Sequence, residues 1–108
     1  MAWLTIEVGA TRHKRGRRMR LEGKSIVLGR STDCTVRVEG EEVSRRHVAL
    51  VWMDDVWRVQ DLASANGTFL NRKRVTSAEL KVRDVLRLGT KGPKVHVIEL
   101  GSVDSDEP

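Results

Sequence analysis

Apolar and polar residues alternate with a period of two through most of this chain, and the three-and-four spacing of an amphipathic helix is nearly absent. Leu4, Ile6 and Val8 alternate with Thr5 and Glu7. Met19 and Leu21 mark a short second strand, "SIVLG" a third with an almost continuous apolar run, and Val36 and Val38 flank Arg37. "HVALVWM" is apolar on both faces, which predicts a strand buried between two layers. Asp54-Asp55 then turns the chain into "VWRVQD", because Asp tolerates the left-handed backbone that a two-residue hairpin loop requires. Further on come "TFL", a polar turn "NRKR", then "VLRLG" and "KVHVIEL", where Val95 and Val97 oppose His96 and Ile98.

This pattern amounts to ten or eleven short strands, too many for one sheet of ordinary size. The predicted fold class is therefore all-β, a two-layer antiparallel β-sandwich with ligand loops at one end. With 108 residues the chain has room for one core. One domain over residues 1–100 is expected, with 101–108 as an acidic tail or linker. The lone cysteine, Cys34, has no partner for a disulfide and reads as a passive thiol in a reducing compartment. No apolar run approaches the roughly 20 residues that span a bilayer, and "MAWLTIEVGA" lacks the order of a signal peptide. A cytoplasmic protein with no membrane partner is the expectation.

Twenty Lys and Arg against fifteen Asp and Glu leave a formal charge of +5, which directs attention to anionic partners. The charge is concentrated in "TRHKRGRRMR", where Arg12, Lys14, Arg15, Arg17, Arg18 and Arg20 stand without an acid. That run reads either as a solvated loop around Gly16 or as an anion-steering surface, a nucleic-acid backbone being one candidate. Stacking on bases is poorly served: Trp3, Trp52 and Trp57 suit a core, and the chain has one Phe and no Tyr.

Three polar stretches interrupt the strands. In "VLGRSTDC", Gly29 permits a turn at a strand end and Arg30 offers a planar fork of donors suited to two phosphate oxygens. In "EEVSRRH", Ser44 and Arg45 supply a hydroxyl and a second cation, and His47 follows at the mouth of a strand. Ser44 and His47 do not make a convincing nucleophile and base, because no third group orients the histidine and no G-x-S-x-G turn is present. No enzymatic activity, metal or cofactor is implied; a histidine pinning two loops through the backbone is the preferred role. In "DLASANGTFLN", Asn66-Gly67 is by itself a strong hairpin signal, yet the Asn66 amide also has the donor and acceptor needed to hold an extended peptide.

The order Gly29-Arg30, then Ser44-Arg45-Arg46-His47, then Ser64-Ala65-Asn66-Gly67-Thr68 with Asn71 beyond, resembles the forkhead-associated (FHA) domain, a family of β-sandwiches that read phosphothreonine in partner proteins. The likeness runs over roughly residues 3–100. It implies a phosphothreonine-dependent adaptor whose partner is a phosphothreonine-containing protein, a Ser/Thr kinase or its substrate. By the same resemblance Arg30, Ser44 and Arg45 bind the phosphate and Asn66 holds the peptide backbone. Ala65 stands where the family often carries threonine, leaving its backbone amide for the peptide. Gly29, His47, Gly67, Thr68 and Asn71 match positions that shape the loops. Glu41 and Glu42 are unusual so near a phosphate site and would select a basic residue in the peptide. A nucleic-acid-binding domain using residues 12–20, and a phosphate-independent interaction domain of the same fold, are the alternative readings.

Overall fold

The computed structural model describes residues 1–103. It contains eleven strands: β1 (Ala2–Val8), β2 (Arg17–Glu22), β3 (Ser25–Gly29), β4 (Val36–Arg37), β5 (Val48–Met53), β6 (Val56–Asp61), β7 (Thr68–Leu70), β8 (Lys73–Val75), β9 (Ser77–Glu79), β10 (Val85–Leu88) and β11 (Lys94–Ser102). A six-stranded sheet has the order β2-β1-β11-β10-β7-β8, and a five-stranded sheet the order β4-β3-β5-β6-β9. The pairing is antiparallel except between β3 and β4, which run parallel. Among the described residues no helix is long and apolar enough to cross a membrane.

The core lies between the sheets and follows the two-residue alternation. Leu4, Ile6, Leu86, Leu88, Val95 and Val97 come from one sheet and Ile26, Leu28, Val48, Leu50, Trp57 and Val59 from the other, all buried. The expectation that "HVALVWM" is covered on both faces needs correction. Val48 and Leu50 are fully buried, but Val51 is half-buried and Met53 is 41% exposed. Two layers leave no third to cover the outer face of a central strand, so Ala49 and Val51 rely on their cross-strand neighbours Val27, Gln60 and Arg58.

Asp54 and Asp55 both have positive φ, 55° and 64°, as a primed two-residue hairpin turn demands. The polar stretch "NRKR" divides: Asn71 and Arg72, at φ 49° and 74°, make the turn, while Lys73 and Arg74 already belong to β8. A β-bulge in β1–β11 pairing shifts the register between Thr5 and Ile6, so that Leu4 faces Leu100 while Ile6 faces Val97. The extra residue returns Leu100 to the core and leaves Glu99 outside. Strand β11 also continues past the boundary expected at 100: Gly101 and Ser102 pair with Trp3 and Ala2. Residues 104–108 of the expected acidic tail lie outside the described residues.

Candidate functional site

Four loops meet where β3, β4 and β6 end and β5, β7 and β11 begin. Gly29 closes β3, and its neighbour Arg30 donates its amide to the Ser44 carbonyl at 3.0 Å; Ser31 donates to the Arg45 carbonyl at 3.1 Å. These two bonds lay the β3–β4 loop directly against the β4–β5 loop. The approach is so close that a Cβ on Gly29 would overlap the Arg45 carbonyl, which explains the glycine. Cys34, buried and unpaired, donates its thiol to the same carbonyl at 3.1 Å.

His47 joins this pair of loops to the third. It is fully buried, with Nδ1 accepting the Ser44 amide at 3.1 Å and Nε2 bonded to the Gly67 carbonyl at 2.8 Å. An accepting Nδ1 requires the proton on Nε2, so the neutral ring satisfies both partners. With both nitrogens engaged by backbone, the ring has none left to activate the Ser44 hydroxyl. That hydroxyl instead accepts the Ala65 amide at 3.0 Å, which leaves its own proton free to donate outward. Ala65 thus differs from its expected role, because its amide orients Ser44 and is not open to a peptide.

The Asn66-Gly67 pair is not a hairpin turn. It lies in the loop that carries the chain from β6 in one sheet to β7 in the other. Gly67 takes φ +87°, and Gly89 of the β10–β11 loop also donates to its carbonyl, at 2.9 Å. The exposed Asn66 side chain donates Nδ2 to the Glu42 carbonyl at 3.1 Å. Its Oδ1 and second N–H remain for a ligand.

Asp61 and Ser64, absent from the sequence-derived set, lock this crossing loop. The Asp61 carboxylate accepts the Ser64 amide at 3.1 Å, the Ser64 hydroxyl, and the hydroxyl of buried Thr68 at 2.7 Å, while Ser64 Oγ accepts the Gly67 amide at 3.1 Å. Burial pushes the Asp61 carboxyl up, but the bonds from the Ser64 and Thr68 hydroxyls and the Ser64 amide outweigh it and hold the group below the usual aspartate value. The Asp61-x-x-Ser64 spacing is a local side-chain-to-backbone turn signal that sequence alone offered.

Glu42 also departs from expectation. Its carboxylate turns to the β10–β11 loop, accepting the Lys91 amide at 2.6 Å and the Thr90 hydroxyl at 3.1 Å, rather than facing a peptide. The Lys91 amide, ahead of the Thr90 hydroxyl, holds it below the usual glutamate value against the opposing push of desolvation. Asn71 sits at the other end of β7, away from these loops, where it donates to Asp84 at 2.9 Å and accepts the Val85 amide at 2.9 Å.

The result is a rim with Arg30, Arg45, Arg46 and Asn66 exposed and Ser44 half-buried between them. None of the ion pairs among the described residues engages Arg30, Arg45 or Arg46. Exposed guanidinium groups on these loops, a preset hydroxyl and a half-committed amide are the donor types that suit a tetrahedral dianion and the peptide backbone beside it.

Comparison with known proteins places this arrangement. The family model described as "FHA domain" matches residues 26–89, and the chain belongs to that family. The FHA domain-containing protein FhaB of Mycobacterium tuberculosis is 38% identical over 63 residues, covering 58% of this chain and 41% of FhaB, so the chain spans less than half the length of that relative. A crystal structure of the FhaA FHA domain complexed with the intracellular domain of Rv3910 superposes with a TM-score of 0.75 at 33% identity, covering 87% of this chain and 98% of the other. A second structure, from work on phosphothreonine-dependent FHA domain interactions, gives 0.75 at 30% identity over 92% of this chain and 99% of its own.

Proposed function

We propose that this chain is a phosphothreonine-dependent binding module, not a catalyst, and that it docks phosphorylated segments of partner proteins at the four-loop rim. The observation that carries the reading is the bonding that unites three sequence-distant stretches. Arg30 is tied to Ser44 through the backbone, Ser44 to Ala65 through its hydroxyl, and Asn66 to Glu42. In this reading Arg30, Ser44 and Arg45 hold the phosphate and Asn66 holds the peptide main chain.

A phosphothreonine carries about −1.5 to −2 charge near neutral pH. Hydrogen bonds to charged groups contribute about 1.5–3 kcal/mol each, so three such partners favour the phosphorylated peptide over the plain one by several kcal/mol. The loss of peptide freedom on docking offsets part of that, and a dissociation constant around 1 μM, or about −8 kcal/mol, is expected. The two FHA structures at 30% and 33% identity support the assignment, one being in complex with a partner's intracellular domain and the other concerning phosphothreonine-dependent interactions. The partner would carry threonine phosphorylated by a Ser/Thr kinase, either the kinase itself or its substrate. Such kinases and a buried unpaired thiol at Cys34 both suit the cytoplasm.

The test is a calorimetric titration of the wild type and Arg30→Ala with one peptide in its phosphothreonine, phosphoserine and unmodified forms. Binding of the phosphothreonine form by the wild type, lost in the folded variant, is the expected result. Undiminished affinity in Arg30→Ala would remove that residue from the site, and equal affinity for the unmodified peptide would leave the phosphate-independent reading.

A further inference from the structure

The basic stretch following β1 lies at the same end of the sandwich as the four-loop rim. Strand β1 ends at Val8, β2 starts at Arg17, and the Gly9 amide donates to the Lys94 carbonyl at the start of β11. Between this loop and β4 runs a cleft of about 590 Å³ whose lining includes Lys14, Arg15, Arg17, Arg37, Glu39 and Val38. Two hydrogen bonds link its lining to Arg30 of the rim. Arg17 donates Nη2 to the Arg37 carbonyl at 2.9 Å, and Arg37 donates Nε to the Arg30 carbonyl at 3.1 Å.

Resting on the phosphopeptide reading above, we propose that this cleft is a second anion subsite that receives acidic side chains flanking the phosphothreonine in the same peptide. Its lining holds four cations against one carboxylate, Glu39, which Arg37 already pairs at 3.1 Å. Among the described residues no ion pair engages Lys14, Arg15 or Arg17. With Arg37 compensated by Glu39, three positive charges remain along one cleft, and an incoming carboxylate offsets their mutual repulsion. A merely solvated charge run would splay into water. This one is clamped instead, by Arg17 across the gap between sheets and by a turn in which Thr11 donates to the Lys14 carbonyl at 2.8 Å.

The chemistry of the lining selects the occupant. Among the described residues no serine or threonine hydroxyl lines the cleft, unlike the setting of Ser44, so it lacks the compact donor set that a second phosphate needs. Among the described residues no aromatic side chain lines it either, which disfavours stacked bases. Cations spread along an open cleft suit the single charges of Asp and Glu side chains passing over them.

The test uses the full chain, the double variant Lys14→Ala/Arg15→Ala, and two phosphothreonine peptides: one flanked by Asp and Glu, placed in turn on each side, and one with Asn and Gln there. The wild type should bind the acidic peptide about fivefold more tightly than the neutral one, as two rim ion pairs allow, and added salt should erase the difference. In the double variant the acidic preference should vanish while affinity for the neutral peptide is kept, which also shows that the fold is intact. Equal binding of both peptides by the wild type overturns the subsite and leaves the phosphate reading standing. Loss of affinity for both peptides in the variant also overturns it, in favour of general charge steering. Binding of the unphosphorylated acidic peptide or of duplex DNA as tight as that of the phosphopeptides overturns the subsite and the phosphate reading together.

Discussion

Ser44 illustrates how one side-chain oxygen can serve the fold and still keep a donor in reserve. Its lone pair accepts the Ala65 amide at 3.0 Å, which leaves the hydroxyl proton uncommitted to that bond, and the proposed function assigns it to a phosphate oxygen. Removing the hydroxyl in Ser44→Ala should weaken phosphothreonine-peptide binding about 10- to 100-fold, the worth of one hydrogen bond to a charged group, with Ser44→Thr recovering part of the loss. An alanine variant that binds as tightly as the wild type in calorimetry would take Ser44 out of the site. Asp61 acts one step behind, as the acceptor that locks Ser64 and Thr68. Because its folded pKa lies below its ordinary value, the carboxylate stabilises the fold fully above the unfolded pKa of about 3.9. That contribution is lost as pH falls through the lower folded value. Asp61→Asn, which sets an NH₂ against the Ser64 amide when its oxygen keeps the two hydroxyls, should cost about 1–3 kcal/mol near neutral pH. The gap between variant and wild-type urea midpoints should narrow as the pH is taken below 4, since the wild type then becomes protonated too; a gap that stays constant would contradict the assignment.

Loops and strands combine here by backbone contact more than by side-chain packing. The β3–β4 and β4–β5 loops touch through the amides of Arg30 and Ser31, and Gly29 makes the approach possible. Gly29→Ala should therefore force these loops apart, lowering stability by about 1–3 kcal/mol as overpacking does. Phosphopeptide affinity should fall with it, and a urea titration paired with calorimetry would measure both; normal affinity in this variant would mean that the contact does not shape the site. Elements with a strong local signal were legible from sequence. The Asp54-Asp55 turn follows from Asp chemistry, and strand β1 follows from the alternation of Leu4, Ile6 and Val8, which matches its buried face. Motif order singles out Arg30, Ser44 and Asn66, and the structure brings their loops together. Non-local choices stayed hidden. Asn66-Gly67 carries a hairpin signal but must cross between sheets, because β7 pairs with β10 and not with β6. Glu42 looked like a peptide-facing acid, and only the distant Thr90 and Lys91 reveal its role as a strap. The β1–β11 bulge and the short strand β9, with Ser77 and Glu79 exposed, carry too little apolar pattern to be seen.

At the scale of the whole molecule, the tryptophan cluster and the proposed recognition rim lie at different ends of the same strands. Trp57 stands second in β6 and Asp61 closes it, about 13 Å apart at the usual rise per residue. Trp57 is buried, meets Trp52 edge to face with ring centroids 5.8 Å apart, and donates Nε1 to the Trp3 carbonyl at 3.1 Å, which ties the two sheets together. None of these contacts involves a ligand loop. Trp57→Ala should remove about 3–5 kcal/mol, a large share of the roughly 5–15 kcal/mol that holds a domain folded, so the gentler Trp57→Phe is the more informative variant. It keeps most of the apolar volume, loses the bond to the Trp3 carbonyl, and should lower stability by about 1–3 kcal/mol. At a temperature where both proteins are fully folded, its affinity for a phosphothreonine peptide should equal that of the wild type. A folded Trp57→Phe with sharply weakened binding would mean that the core end and the rim are energetically coupled through β6, and the separation argued here would fail.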